Sequence, residues 1–281
     1  MVRFRVMKPT DSSFFLRLAN MVGWGMTQQD FNRIVKFGSN DSFIAMDNGE
    51  QVGVVVTTIY GNKGWIGDLV VLPEYRKRGI GSSLMLHAMN HLQENGVRAI
   101  RLDAVQEAIP LYRRLGFRDE YWSLRHIGKA EKNNTMRTRL LSDRDLSAIY
   151  ILDHMFFKAH RKPILDYTYS QNPELCWAAW EDSNIIGYIM AKDGLENVRI
   201  GPWICDPLRP DLAEELLHSV MNMRLGEKFW VGTPENNDEA ARILEKNNFT
   251  NLPKSLRMCY GNCSHKENVE GIFGLGGPDK G

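Results

Sequence analysis

The chain is short of several things, and each shortage removes a class of function. Of its 281 residues only four are cysteine: Cys176, Cys205, Cys259 and Cys263. All four lie in the second half without framework spacing, so reduced thiols are expected rather than a disulfide scaffold. No run of about 18 apolar residues occurs, and no membrane-spanning helix is expected. Neither sign of charge prevails, with 35 Lys and Arg against 34 Asp and Glu. That balance lacks the basic excess of a nucleic-acid binder or a membrane-surface protein, so neither partner is expected. The opening Met-Val-Arg-Phe-Arg-Val has no apolar leader core, which makes a cytoplasmic location the expectation. Metal ligands are sparse too. Cys259, Cys263 and His265 lie close in sequence, but no fourth partner stands at zinc-site spacing, and no metal is expected. His87 and His91, four apart on a helical stretch, read as a solvent-facing pair.

What is present is organised around residues 64–82. Residues 66–72 are apolar and largely β-branched apart from Gly67 and Asp68, and Pro73 ends them, which reads as a strand. Ile80, Leu84, Met85, Ala88, Met89 and Leu92 then form one stripe of a helix that stops at Gly96. Between strand and helix stands Arg76-x-x-Gly79-x-Gly81. Two glycines let a ligand approach the backbone, and the first free N–H groups of the helix point at it. The helix dipole and Arg76, Lys77 and Arg78 add positive charge, a setting suited to a pyrophosphate. A solvated basic turn is the plainer alternative.

The segment Val-Leu-Pro-Glu-Tyr-Arg-Lys-Arg-Gly-Ile-Gly-Ser at 71–82 resembles the acyl-CoA signature Arg/Gln-x-x-Gly-x-Gly/Ala of the GNAT N-acetyltransferases. Leu-Tyr-Arg-Arg-Leu-Gly-Phe at 111–117 is similar to that family's L-Y-x-x-L-G-F segment, in the right order and spacing. The resemblance covers roughly residues 3–125. It implies acyl transfer from acetyl-CoA to a primary amine by direct attack. The coenzyme would be held at Arg76, Lys77, Arg78, Gly79, Ile80, Gly81 and Ser82, with its pantetheine arm along Leu69, Val70 and Val71 as an added strand. Tyr112 matches the family tyrosine that protonates or hydrogen-bonds the leaving thiolate; a tyrosine packed at a helix end is the alternative. The family's usual Asn falls on Val105, a departure that removes one pantetheine contact or passes it to Gln106. Asp68 is the leading general base, in competition with Glu107, Asp103 and Asp30. Trp24, Met26 and Asp30, in and beside the loop between the first two helices, are candidate acceptor-site residues; core packing and a first-turn helix charge are their other readings.

After the polar residues 131–134 the chain repeats itself. Residues 136–143 echo 4–11, and two strands around 177–190 echo the first hairpin. Phe249 and Phe117 are landmarks 249 − 117 = 132 positions apart. That offset carries Arg76, Gly79, Gly81 and Tyr112 onto Leu208, Asp211, Ala213 and Leu244, so the coenzyme signature is gone from the second copy. Its helix opens with Asp211, Glu214 and Glu215, which would repel a pyrophosphate. The glycine-rich residues 271–281 follow no strand and open no helix, and they read as a flexible end or an edge strand.

The expectation is therefore an α/β chain of the α+β sandwich type, with two tandem GNAT-like domains, each a mixed, mostly antiparallel sheet flanked by helices. Residues 1–130 would bind acetyl-CoA, and 135–281 would form a coenzyme-free repeat that covers the acceptor cleft or makes a homodimer surface. The acceptor is a small-molecule or peptide amine. A non-catalytic acyl-CoA sensor or scaffold is the competing function.

Overall fold

The structure, a computed structural model, describes residues 2–37, 40–264 and 266–281. His265, considered above as a metal ligand, lies outside the described residues. In chain order the elements are β1 (Arg3–Val6), α1 (Ser12–Met21), α2 (Gln28–Phe37), β2 (Phe43–Asp47), β3 (Glu50–Tyr60), β4 (Lys63–Val71), α3 (Ile80–Glu94), β5 (Ala99–Ala104), α4 (Ile109–Arg114) and β6 (Arg118–Lys129). The second copy adds β7 (Thr138–Leu140), α5 (Leu146–Phe157), α6 (Lys162–Gln171), β8 (Cys176–Glu181), β9 (Asn184–Asp193), β10 (Val198–Cys205), α7 (Pro210–Asn222), β11 (Lys228–Pro234), α8 (Asp238–Lys246), β12 (Thr250–Gly261) and β13 (Ile272–Gly274). Among the described residues no helix is long and apolar enough to cross a membrane.

The chain forms two compact units. Unit 1 is Met1–Asp119 with Met258–Cys263 and Pro278–Gly281. Its strands run β1-β2-β3-β4-β5, antiparallel except for the parallel β4–β5 pair, and the end of β12 lies beyond β5. Phe14, Phe15, Leu18, Phe31 and Ile34 of α1 and α2 pack with Val54, Val56 and Val70. Gly64, paired with Ile59 and so on the opposite face, lies under Leu92 of α3.

Unit 2 is Glu120–Arg257 with Ser264–Gly277. Its order is β12-β6-β11-β10-β9-β8-β7, again antiparallel from β7 to β10 with a parallel β10–β11 pair. Its core is built on Leu212, Leu216, Val220, Ile189, Trp203 and Phe229. The expected division between 130 and 135 needs correction. The second part of β6 pairs with the whole of β11, from Ser123↔Pro234 to Lys129↔Lys228, and residues from Glu120 on belong to unit 2. Residues 258–263 and 278–281 belong to unit 1 instead.

The repeat is visible in side chains as well as in order. Arg5 grips Asp11 with two 2.7 Å bonds, and Asp11 also accepts from the Lys8 N–H. Arg139 grips Asp145 in the same way, and Asp145 accepts from the Ser142 N–H. The spacing is shared: 139 − 5 and 145 − 11 both give 134. Burial opposes ionisation of both carboxyls, but the arginine and the N–H donors outweigh it and hold both below the ordinary aspartate range. A lowered carboxylate pKa contributes stability that is present above about pH 4 and lost as pH falls through the folded-state value. The double variant Asp11→Asn/Asp145→Asn is therefore expected to show a shallower loss of melting temperature between about pH 5 and pH 2 than the parent, read by calorimetry.

The cysteine expectation fails at one pair. Cys259 and Cys263 form a disulfide across the turn that ends β12, with Cα atoms 6.2 Å apart, while Cys176 and Cys205 stay free and buried. A spacing of four residues carried no framework signal, because only the turn after Gly261 brings the two sulfurs together. His87 also departs from expectation: its ring sits 4.5 Å from that of Phe43 and 5.0 Å from that of Phe4.

Candidate active site

The interruption at Gly67-Asp68 becomes a β-bulge. Val56 pairs with Gly67 but Val54 pairs with Val70, so β4 carries one residue more than β3 between those pairs. Asp68 absorbs the irregularity with φ +51°. That is a left-handed conformation rare for a residue with a side chain, and it re-aims the groups on either side. On the other edge β4 pairs with β5 only from Lys63↔Ala99 to Trp65↔Arg101. From Ile66 onward the two strands part, leaving a splay beside Leu69, Val70 and Val71.

β4 leads through Leu72 into a single 3-10 turn, Pro73–Tyr75, and then into the basic loop. Lys77 and Gly79 both have positive φ, +59° and +77°. Consecutive turns of this kind make a concave nest of N–H groups. α3 begins at Ile80, and its first i→i−4 bond runs from the Ser83 N–H to the Gly79 carbonyl at 3.0 Å. The N–H groups of Ile80, Gly81 and Ser82 thus precede the helical ladder. A Cβ added at Gly79 would meet nothing within 4 Å, so no other atom crowds the chain at that glycine. The three cations are not equivalent. Arg76 donates from Nε to the Val71 carbonyl at 2.9 Å, and Arg78 pairs with Asp47 at 2.8 Å while lying over the Tyr75 ring.

Tyr112 stands on α4, 9% exposed, its ring 5.9 Å from that of Phe117. Burial pushes its hydroxyl up to about 12, so it keeps its proton at neutral pH. Val105, where the family asparagine was expected, is exposed at the end of β5 and offers no side-chain donor.

The candidate acceptor residues make structural contacts. Met26 is buried in the α1–α2 core, with Trp24 packed against it. The Asp30 carboxylate accepts from the Thr27 N–H at 3.0 Å and hydroxyl at 3.1 Å, closing the start of α2. Capping and packing claim these three, because the loop they belong to must satisfy the orphan donors of α2. Residues that sequence reasoning missed line the same face. Arg33, one turn after Asp30 and buried, ion-pairs with Asp279. Thr58 and Tyr60, in step with Val54 and Val56 on β3, bond the carbonyls of Asp279 and Lys280 at 3.1 and 2.9 Å. Alternation along β3 marked the face; nothing local marked residues 278–281 as its cover.

Unit 2 repeats the frame with different contents. β10 carries an extra residue relative to β9 between Ile200 and Trp203, the counterpart of the β4 bulge. β10 leaves β11 after Ile200↔Val231, and β13 then pairs with β10 at Trp203↔Gly274 and Ile204↔Ile272. The Leu275 N–H bonds the Gly232 carbonyl of β11 at 2.8 Å. The protein's own strand thus lies in the splay. Asn237, at the position matching Val105, donates from Nδ2 to the carbonyls of Val269, Glu270 and Ile272 at 3.2, 3.0 and 3.0 Å. At the start of α7, Asp211 is held by Arg209 and Arg137, and Glu215 accepts from the Met136 and Arg137 N–H groups.

Two family profiles match the chain: "Acetyltransferase (GNAT) family" over residues 16–117 and "Acetyltransferase (GNAT) domain" over 149–274. An uncharacterized N-acetyltransferase, YitH of Bacillus subtilis, is 26% identical over 199 residues, covering 68% of this chain and 69% of that protein. The N-alpha-acetyltransferase MAK3 of Arabidopsis thaliana is 37% identical over 82 residues, 27% of this chain and 43% of its own length. Among solved structures, a putative acetyltransferase from Pyrococcus horikoshii superposes with TM-score 0.84 at 21% identity, covering 100% of this chain and 96% of that one. A tandem GNAT protein from the clavulanic acid biosynthesis pathway superposes with TM-score 0.65 at 12% identity, covering 95% and 100%. Both halves carry the frame of bulge, splay and following helix, and the chain belongs to the GNAT acetyltransferase family as a tandem pair of its domains.

Proposed function

We propose that unit 1 is an acetyl-CoA-dependent N-acetyltransferase acting on a primary amine, and that unit 2 binds no coenzyme. The observation that carries this reading is the continuity of the β4 bulge, the β4–β5 splay and the open nest at Lys77 and Gly79. The splay offers backbone groups of Leu69, Val70 and Val71 to a pantetheine arm, and the nest with the first turn of α3 offers N–H groups to a pyrophosphate. In unit 2 the same splay is taken by β13, and the helix start carries carboxylates.

The thioester supplies the acyl group; the chain supplies position and protons. Asp68, 6% exposed beside the bulge, takes a proton from the incoming ammonium. Tyr112 keeps its proton up to about 12 and donates to the departing sulfur. Tyr112→Phe is expected to lower kcat roughly a hundredfold with little change in KM for the coenzyme, since general acid groups contribute about that much. Because its hydroxyl is raised, any alkaline loss of rate below about pH 10 belongs to another group. Release of free CoA in the presence of a panel of primary amines separates turnover from a sensor that binds without reacting. A Tyr112→Phe enzyme with the parent's kcat and pH profile would remove the assigned role.

A further inference from the structure

The segment Pro278–Gly281 lies within unit 1, on the face of the sheet that carries α1 and α2. Gly67 shows this. Its partner Val56 belongs to the α1–α2 core, and a Cβ at Gly67 would point the same way, 2.5 Å from Cα of Asp279. Only glycine lets the segment approach the strand so closely, one residue before the bulge at Asp68. The segment is held chiefly by its main chain. Thr58 Oγ1 donates to the Asp279 carbonyl at 3.1 Å, and the Tyr60 hydroxyl donates to the Lys280 carbonyl at 2.9 Å. The Asp279 carboxylate pairs with Arg33 and accepts from Lys280 Nζ at 3.0 Å.

This binding mode leaves an alkyl amine enclosed and bonded to the Asp279 carboxylate, on a residue that lies over Gly67 one position before the β4 bulge. Lys280 is only 9% exposed, and Asp68 is among the charges that act on its ammonium. Burial favours the neutral amine, Asp279 and Asp68 oppose that, Arg33 assists it, and the balance lies below an ordinary lysine. A neutral amine is the nucleophilic form.

We propose that Lys280 is an acetyl acceptor of unit 1, modified in cis by the same polypeptide. The inference rests on the proposed binding of acetyl-CoA in unit 1. The ammonium first loses one proton to the Asp279 carboxylate, which accepts from Nζ at 3.0 Å and passes the proton on to solvent. Nζ then bonds to the thioester carbonyl carbon, the carbon–sulfur bond breaks, and the second amine proton leaves. The products are Nε-acetyl-lysine at 280, CoA as the free thiol and one proton released to solvent. Asp279 and Arg33 fix the segment through the step, and the hydroxyls of Thr58 and Tyr60 fix its backbone.

The full chain, incubated with isotopically labelled acetyl-CoA and digested, is expected to carry label at Lys280 at least tenfold faster than at its exposed lysines. The rate should not change with protein concentration, as an intramolecular step requires. In the Gly79→Asp variant, which is expected to bind the coenzyme at least a hundredfold more weakly, labelling at Lys280 at a coenzyme concentration that saturates only the parent should fall to the slow chemical rate of the other lysines. Binding of acetyl-CoA is measured in parallel by calorimetry. Tight binding with no label at Lys280 overturns the inference and leaves the coenzyme reading standing, as does equal labelling of parent and variant. Absence of binding to the parent overturns both.

Discussion

Gly79→Asp is expected to weaken acetyl-CoA binding by at least a hundredfold, about 2.7 kcal/mol, while the protein still folds. Two effects add. The residue sits at φ +77°, where a side chain costs about 1–2 kcal/mol against glycine. The new carboxylate would also stand before the nest, facing a doubly charged pyrophosphate, and at an effective dielectric of about 20 like charges ~4 Å apart repel by about 4 kcal/mol. No steric clash accompanies either effect, since a Cβ there meets nothing within 4 Å. The melting temperature should therefore fall by only a few degrees. Gly79→Ala separates the terms: it keeps the strain, lacks the charge, and should lose about tenfold at most. Calorimetric titration with acetyl-CoA is the measurement, and unchanged affinity in the Asp variant would withdraw the loop from the coenzyme site.

Asn237→Ala is expected to destabilise unit 2 by roughly 3 kcal/mol, the largest single loss anticipated outside the aromatic core. One amide serves two structures. Its Oδ1 accepts from the Ala240 N–H at 2.9 Å and caps α8. Its Nδ2 is shared by three carbonyls of residues 269–272, holding the segment that runs into β13. Loss of the cap costs about 1 kcal/mol, and losing the single shared amide donor costs the carbonyls together a further ~1–3 kcal/mol. Asn237→Asp restores the cap but turns a second acceptor toward the three carbonyls, so it should fare no better. Hydrogen exchange should speed up at residues 271–275 before the rest of unit 2 in both variants. Uniform protection across β13 would show that the clamp does not hold it.

The units were legible in unequal measure. Strand, loop and helix at residues 64–94 could be read because their apolar periods, Pro73 and the two glycines all act within a short stretch of chain. Gly67-Asp68 stood out as a break in a β-branched run and proved to be a bulge, although its geometry depends on the register with β3. β12 was hidden: Pro253, Lys254 and Arg257 obscure its alternation, and only its partners make it a strand. Asp30 closes the start of α2, and a capping carboxylate and an acceptor-site carboxylate look alike in one dimension. Arg33, Thr58 and Tyr60 drew no notice, since their common partner is some 220 to 246 positions away. The loss of the coenzyme signature from the second copy was visible as missing residues, but the strand filling that groove could not be foreseen from glycines alone.

The strand that flanks β5 bears on how the polypeptide is made. Residues 99–104 leave the ribosome long before residues 258–261 do, and 258 − 104 gives 154 residues of further synthesis. At about 5–20 residues per second that interval is roughly 8–30 seconds. Throughout it the nascent first half presents an unfinished sheet edge of Ala-Ile-Arg-Leu-Asp-Ala, the sort of surface that recruits other chains. The last step in folding this half therefore waits for residues beyond 257, and its yield should be sensitive to chaperone supply and to the speed of translation through residues 120–257.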